Sequence, residues 1–273
     1  MSILREAAQN FFGTWLMTDS TNNFGLASLV FALYYAVLCV YWVNKAKSSA
    51  PLPKLRNISG LDALDEAIGR ATEMSRPVVY TMAGGGASGM AAIAILGYTA
   101  ALTAKYDTKI ATVVRSERQI AMAEAVLLKA YTDADRPGAS SIKDVRYLSG
   151  DQNAFAMGAV GVLHRENGAA HLMFGQFFAE SLILAEGGNG MGAIQVAGTT
   201  NNIQTPYFLA SCDYTLLADE MYVAAAYLTQ DRTSIATVVT QEYGKVFFFA
   251  IIVLGSLLST FGIHIVEDLL TLY

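Results

Sequence analysis

Two uncharged apolar runs, Phe24 to Val43 and Val246 to Ile263, stand near the two ends of the chain and bracket a long segment of mixed polarity. A helix rises about 1.5 Å per residue, so runs of this length reach or nearly reach across the roughly 30 Å hydrocarbon core of a bilayer. The expectation is a two-pass membrane protein with these runs as its transmembrane helices. The first is too long for the apolar centre of a signal peptide, and no small-residue cleavage site directly follows it. The second holds Gly255, Ser256, Ser259 and Thr260, small residues that let membrane helices pack closely.

Basic residues near span ends are retained on the cytoplasmic side. Lys45 and Lys47 follow the first run and Lys245 precedes the second, whereas the outer flanks offer only Arg5 and, after Ile263, no Lys or Arg. The middle segment is therefore expected in the cytoplasm and both termini outside, at the inner cell membrane. The expected divisions are an outer amphipathic segment 1–23, a transmembrane helix 24–43, a cytoplasmic domain 48–243, a transmembrane helix 246–263 and an outer tail 264–273. Within the first division, Leu4, Ala8, Phe11, Phe12 and Trp15 recur at helical spacing, which suits a helix lying along the outer interface or packed on the outer face.

Periodicity changes after the linker Ser48 to Pro53. Leu61 to Met74 is an amphipathic helix, and thereafter short apolar strands alternate with helices: strands Pro77–Ala83, Lys109–Val114, Asp144–Leu148, Ala170–Phe174 and Ala193–Ala197; helices Ser88–Lys105, Glu117–Asp133, Gln152–Glu166, Phe178–Glu186 and Asp219–Leu228. Tyr207 to Leu217 is apolar and reads equally as helix or strand. Short apolar strands separated by helices require crossover connections. The fold class is α/β: a doubly wound, mostly parallel, Rossmann-like sheet between two transmembrane helices.

Gly84, Gly86 and Gly89 form a G-x-G-x-x-G between a strand and a helix, the setting in which backbone amides and a helix N-terminus can receive a phosphate. Arg115, with Ser116 and Arg118, follows the next strand, where a dinucleotide fold holds the adenosine ribose; arginine there suits a 2′-phosphate, as in NADP. The opposing reading is packing, because Ala87, Ala91, Ala92, Ala94 and Gly97 continue the small-residue run along the helix. Glu180, Glu186, Asp213, Asp219 and Glu220 are weaker candidates for a metal or proton site, or simply cap and solvate helix ends. Thr199 to Asn202 is a polar loop, either a turn or part of a ligand crevice.

Other classes of function find little support. A net charge of −5 and a pI near 5.2, with no basic cluster, argue against nucleic acid. Cys39 and Cys212 make no disulfide framework, and His164, His171 and His264 make no zinc pattern. His164 and His171 read as structural. No nucleophile elbow or other complete catalytic constellation is present, so the reading leans away from an enzyme and assigns no catalytic residue.

Several longer strings carry a resemblance. They are Gly60-Leu61-Asp62-Ala63-Leu64 with Glu66 to Met74, Ala179-Glu180-Ser181-Leu182, Gly192 to Thr199, Cys212-Asp213-Tyr214-Thr215-Leu216, and Ala224 to Leu228. From about Gly60 to about Lys245 the chain resembles an uncharacterised family of prokaryotic membrane proteins that carry a domain of unknown function. It departs at Leu217-Ala218-Asp219-Glu220, which keeps two acids but lacks the glycine expected of an Ile-Gly-Glu-Glu-like stretch. The resemblance implies a membrane-anchored α/β domain and supplies no reaction. The leading expectation is a non-catalytic scaffold or accessory subunit whose partners are the bilayer and either copies of itself or a membrane complex. The alternative is a nucleotide-binding (NADP-like) membrane enzyme or sensor using Gly84, Gly86, Gly89 and Arg115.

Overall fold

A computed structural model describes residues 26–48, 53, 59–136, 144–217 and 219–261. The expected outer segments, 1–23 and 264–273, lie outside the described residues. The chain divides into two compact units, Leu55–Asp231 and a second made of Met1–Lys54 with Arg232–Tyr273.

The larger unit is an α/β domain. Its elements in order are α2 (Ser59–Glu73), β1 (Val78–Ala83), α3 (Gly86–Tyr106), β2 (Ile110–Val114), α4 (Arg118–Asp133), β3 (Val145–Tyr147), α5 (Gln152–Glu166), β4 (Ala170–Gly175), α6 (Glu180–Met191), β5 (Ile194–Thr199), α7 (Thr205–Ser211), β6 (Tyr214–Leu217) and α8 (Glu220–Thr229). The six strands form one sheet in the order β3-β2-β1-β4-β5-β6, and every pairing is parallel. Strands β1, β2, β4 and β5 are buried along their whole length, which is why they read as mostly apolar runs, broken at Thr81, Thr112, His171, Gln195 and Thr199, rather than as alternating patterns.

Strand order reverses direction between β1 and β4. Helices α3 and α4, which carry the chain outward from β1 to β3, pack together with α2 and α8 on one face of the sheet. On the other face α6 packs against both α5 and α7. That second face buries Val79, Val113, Met173 and Ala197 beneath Phe155, Leu163, Leu184 and Phe208. On the first face the Tyr80 hydroxyl donates to Ala92 O at 2.6 Å and its ring stacks on Phe174, tying β1 to α3. The small-residue run is used for this packing: Ala91 and Ala92 are buried, and a Cβ on Gly97 would stand 3.3 Å from Val126 of α4.

Local signals set most element ends. The Asp151 carboxylate accepts from Ala154 N and caps α5, which ends on Asn167 in the left-handed conformation. Two segments differ from expectation. Helix α6 runs on to Met191 through Gly187 and Gly188, because those glycines let it lie against Val160 of α5 and Gln195 of β5, where a Cβ would overlap. The ambiguous stretch 207–217 splits into α7, with Pro206 in its first turn, and the edge strand β6.

The helical unit holds α1 (Leu26–Lys47) and the continuous α9 (Arg232–Thr260). They run antiparallel: Phe31 meets Phe247 and Phe248, Trp42 stacks on Tyr243 at 5.2 Å, and the Arg232 guanidinium donates to Ala46 O at 2.9 Å. Their outward surface is apolar, with Leu33, Val37 and Val40 on α1 and Val246, Phe249 and Ile252 on α9 all exposed. Among the described residues two helices are long and apolar enough to cross a membrane, α3 and α9. α3 is a core helix, with Ala92, Ile95, Leu96 and Ala100 fully buried, whereas the apolar part of α9 from Val246 onward is mostly exposed.

Candidate functional site

Adjacent strands β1 and β4 send their following helices to opposite faces, and the backbone parts above them. In open parallel sheets ligands settle in such a crevice at the carboxyl ends of the strands. Here the crevice is a cleft of about 750 Å³, and Gly84, Gly86, Gly89 and Arg115 all line it.

The glycine loop has local reasons for its composition. Gly84 and Gly86 adopt φ values of +83° and +61°, which side-chain-bearing residues rarely take. A Cβ on Gly84 would stand 2.6 Å from the Gln176 Cβ, and one on Gly89 would stand 3.2 Å from Gly84 O. Gly86 has open space where its Cβ would be. Gly85 is the N-cap of α3 and supplies no side-chain oxygen, so no side chain closes the first turn of that helix from its cap. The Gln119 side chain holds the loop from outside, donating through Nε2 to Gly84 O while Oε1 accepts from Ser116 N.

Arg115 lines the cleft but is already committed. Its Nη1 lies 2.8 Å from Oε1 of Glu180, a carboxylate with no solvent exposure, and its Nε donates to Gly150 O at 3.4 Å. The other Glu180 oxygen accepts from Phe178 N at 3.1 Å. Arg115 thus braces the loops that follow β2, β3 and β4 against one another. The cation left to meet a ligand is Arg118, which lines the same cleft, is exposed, and makes no hydrogen bond or ion pair among the described residues. Met122 and Tyr147, both partly exposed, add apolar surface, and Gln176 and Glu117 add polar groups. Tyr147 and Gln176 carry no local motif; only their places just at or beyond strand ends mark them.

The acidic candidates are not brought together. Glu180 lies beyond the carboxyl end of β4, whereas Asp213 precedes β6 at the opposite end of the sheet and accepts from Gln195 N at 2.7 Å. Glu186 is exposed on α6, Asp219 is the N-cap residue of α8, and Glu220 accepts from Leu217 N. Among the described residues no three of His, Cys, Asp or Glu form a group able to hold a metal ion.

Cys212 and His171 lie within the fold, away from the cleft lining. Burial, then the Asp213 charge, pushes the Cys212 thiol up to about 12, which leaves it unreactive at neutral pH. His171, fully buried in β4, lies 2.9 Å from Thr81 Oγ1, and burial lowers its pKa to about 4.

Residues 18–270 match the family described as a domain of unknown function, DUF6754. No curated protein and no solved structure matches the chain.

Proposed function

The chain belongs to this family of unknown function, and from its own geometry we propose that it is a nucleotide-binding α/β domain held at a membrane by α1 and α9. The observation that carries the reading is the cleft at the strand-order reversal: a three-glycine turn floors it, the first turn of α3 lacks a side-chain cap, and Arg118 stands at its edge. A phosphate placed there meets backbone N–H groups and the positive end of a helix of 21 residues. Ser116, Glu117 and Tyr147 line the cleft but make no side-chain hydrogen bond to one another among the described residues, and the proposal is of a binding or sensing domain.

Membrane attachment is the second half of the proposal. Helix α9 spans about 44 Å at the usual rise, more than a hydrocarbon core requires, and from Val246 to Leu257 its exposed residues other than Ser256 are apolar. Lys45, Lys47 and Lys245 favour a cytoplasmic α/β domain. Extraction of vesicles with alkaline carbonate leaves such a chain in the pellet, and release into the supernatant would end this half of the proposal.

Binding is tested by thermal shift on the detergent-solubilised full chain with ATP, ADP, NAD and NADP. A ligand at a hundred times its Kd stabilises by about 2.7 kcal/mol, or about 5–10 °C for a domain of this size. Gly86→Asn is the informative variant: Asn tolerates a left-handed backbone, and its side chain would stand in the open space a phosphate needs. The proposal expects a shift in the natural chain that is lost in G86N, and absence of any shift refutes it.

A scaffold or accessory role, by self-assembly or by docking on a membrane complex, is the second reading. Exposed Ile203, Tyr207 and Leu209 around α7 favour it. A particle several chains in mass, with no nucleotide response, would select this reading over the first.

A further inference from the structure

A doubly wound sheet offers two half-sites across the strand-order reversal, one over β1 to β3 and one over β4 to β6. A dinucleotide uses both. Among the described residues the first is open. The cleft residues come from the loops and helices after β1, β2 and β3, with Gln176 and Phe178 of the β4 loop as its near wall.

The second half-site is filled by the chain itself. Phe177 is fully buried and packs edge-on against buried Phe208 with ring centres 5.5 Å apart. The polar loop after β5 turns its hydrogen-bonding groups onto its neighbours. Thr199 Oγ1 accepts from Phe177 N and from Asn201 N, the Asn201 amide donates to Phe177 O at 3.0 Å, and Asn201 Oδ1 accepts from Ile203 N. Thr200 N donates to Gly175 O, and the Ser181 hydroxyl donates to the Gln204 side chain at 2.6 Å. At the start of α6, where the second half-site would present its helix N-terminus, the Glu180 carboxylate already accepts from Phe178 N and pairs with Arg115. An anion brought there would face a buried carboxylate.

We infer that the cleft takes a single nucleoside phosphate and leaves no room for the second nucleotide of a dinucleotide, an inference that rests on reading the cleft as a nucleotide site. The phosphates lie along Gly84 to Ser88, and the sugar and base extend over Arg118, Met122 and Tyr147, so recognition is confined to one nucleotide. Arg115 acts as a positioning residue, through its bonds to Glu180 and Gly150, and does not itself hold a phosphate.

The test is calorimetric titration of the detergent-solubilised full chain with ADP, GDP, ADP-ribose, NAD and NADP. The expected result is binding of ADP or GDP, with ADP-ribose and NAD no more than threefold tighter than ADP, since nothing beyond the first nucleotide gains a contact. Arg118→Glu, at an exposed position, weakens the nucleoside diphosphate at least tenfold without changing the melting temperature of the unliganded chain. NAD binding tenfold or more tighter than ADP overturns this inference and leaves the nucleotide site standing. Failure of all five to bind overturns the site, and this inference with it.

Discussion

Acid should unfold this protein partly through one histidine. His171 is fully buried in the central strand β4, one ring nitrogen facing Thr81 Oγ1 and the other, Nδ1, without a hydrogen-bond partner. Burial lowers its pKa from 6.5 to about 4, so the folded chain keeps it neutral where the unfolded chain protonates it. Between about pH 6.5 and 4 the unfolded state binds the extra proton, and stability falls as pH falls; above 6.5 the contribution is complete, and below 4 no more is lost. The full window is worth about 3 kcal/mol, and about 2 kcal/mol is gone by pH 5. The informative variant is His171→Gln, which keeps a polar partner for Thr81 and does not titrate. Melting curves of the detergent-solubilised natural chain and of H171Q, followed by circular dichroism from pH 7.5 to 4.5, should converge on acidification: the variant starts less stable and loses about 4–8 °C less by pH 5. Parallel profiles for the two chains would refute the assignment of a neutral, buried His171.

Two other substitutions read the packing. Arg115→Met leaves the buried Glu180 carboxylate without its cation and should cost about 3 kcal/mol, about 6–12 °C in melting temperature, with much of the loss recovered by adding Glu180→Gln. Equal losses for the single and double variants would show that the pair braces nothing. Gly187→Ala places a Cβ onto Val160 across the α5–α6 contact and should cost about 1–3 kcal/mol, with relief in a Val160→Ala background. Both are read by the same melts.

The parts of this architecture that rest on local chemistry are visible in the residue order. β1 and β4 show as short apolar runs because parallel strands are buried on both faces, and α5 shows its true ends because Asp151 and Asn167 cap it. The glycine loop is legible for the same reason, since its left-handed turns need glycine whatever surrounds them. What depends on distant partners is not. Helix α6 continues through two glycines only because α5 and β5 approach there, and β6 is a short edge strand whose exposed Tyr214 and Leu217 break the apolar pattern. Arg115 suits a phosphate by its position, yet Glu180, 65 residues further on, takes its charge. The acidic residues all stand near element ends in the sequence, yet Asp213 precedes a strand of the parallel sheet and Glu180 follows one, which puts them at opposite ends of it.

The most direct test of the nucleotide-site proposal is a density map of the full chain at side-chain resolution with saturating ADP. The proposal predicts phosphate density against the backbone of Gly84 to Ser88, with the base over Met122 or Tyr147. An empty glycine loop at saturating nucleotide, or density elsewhere on the domain, would contradict it.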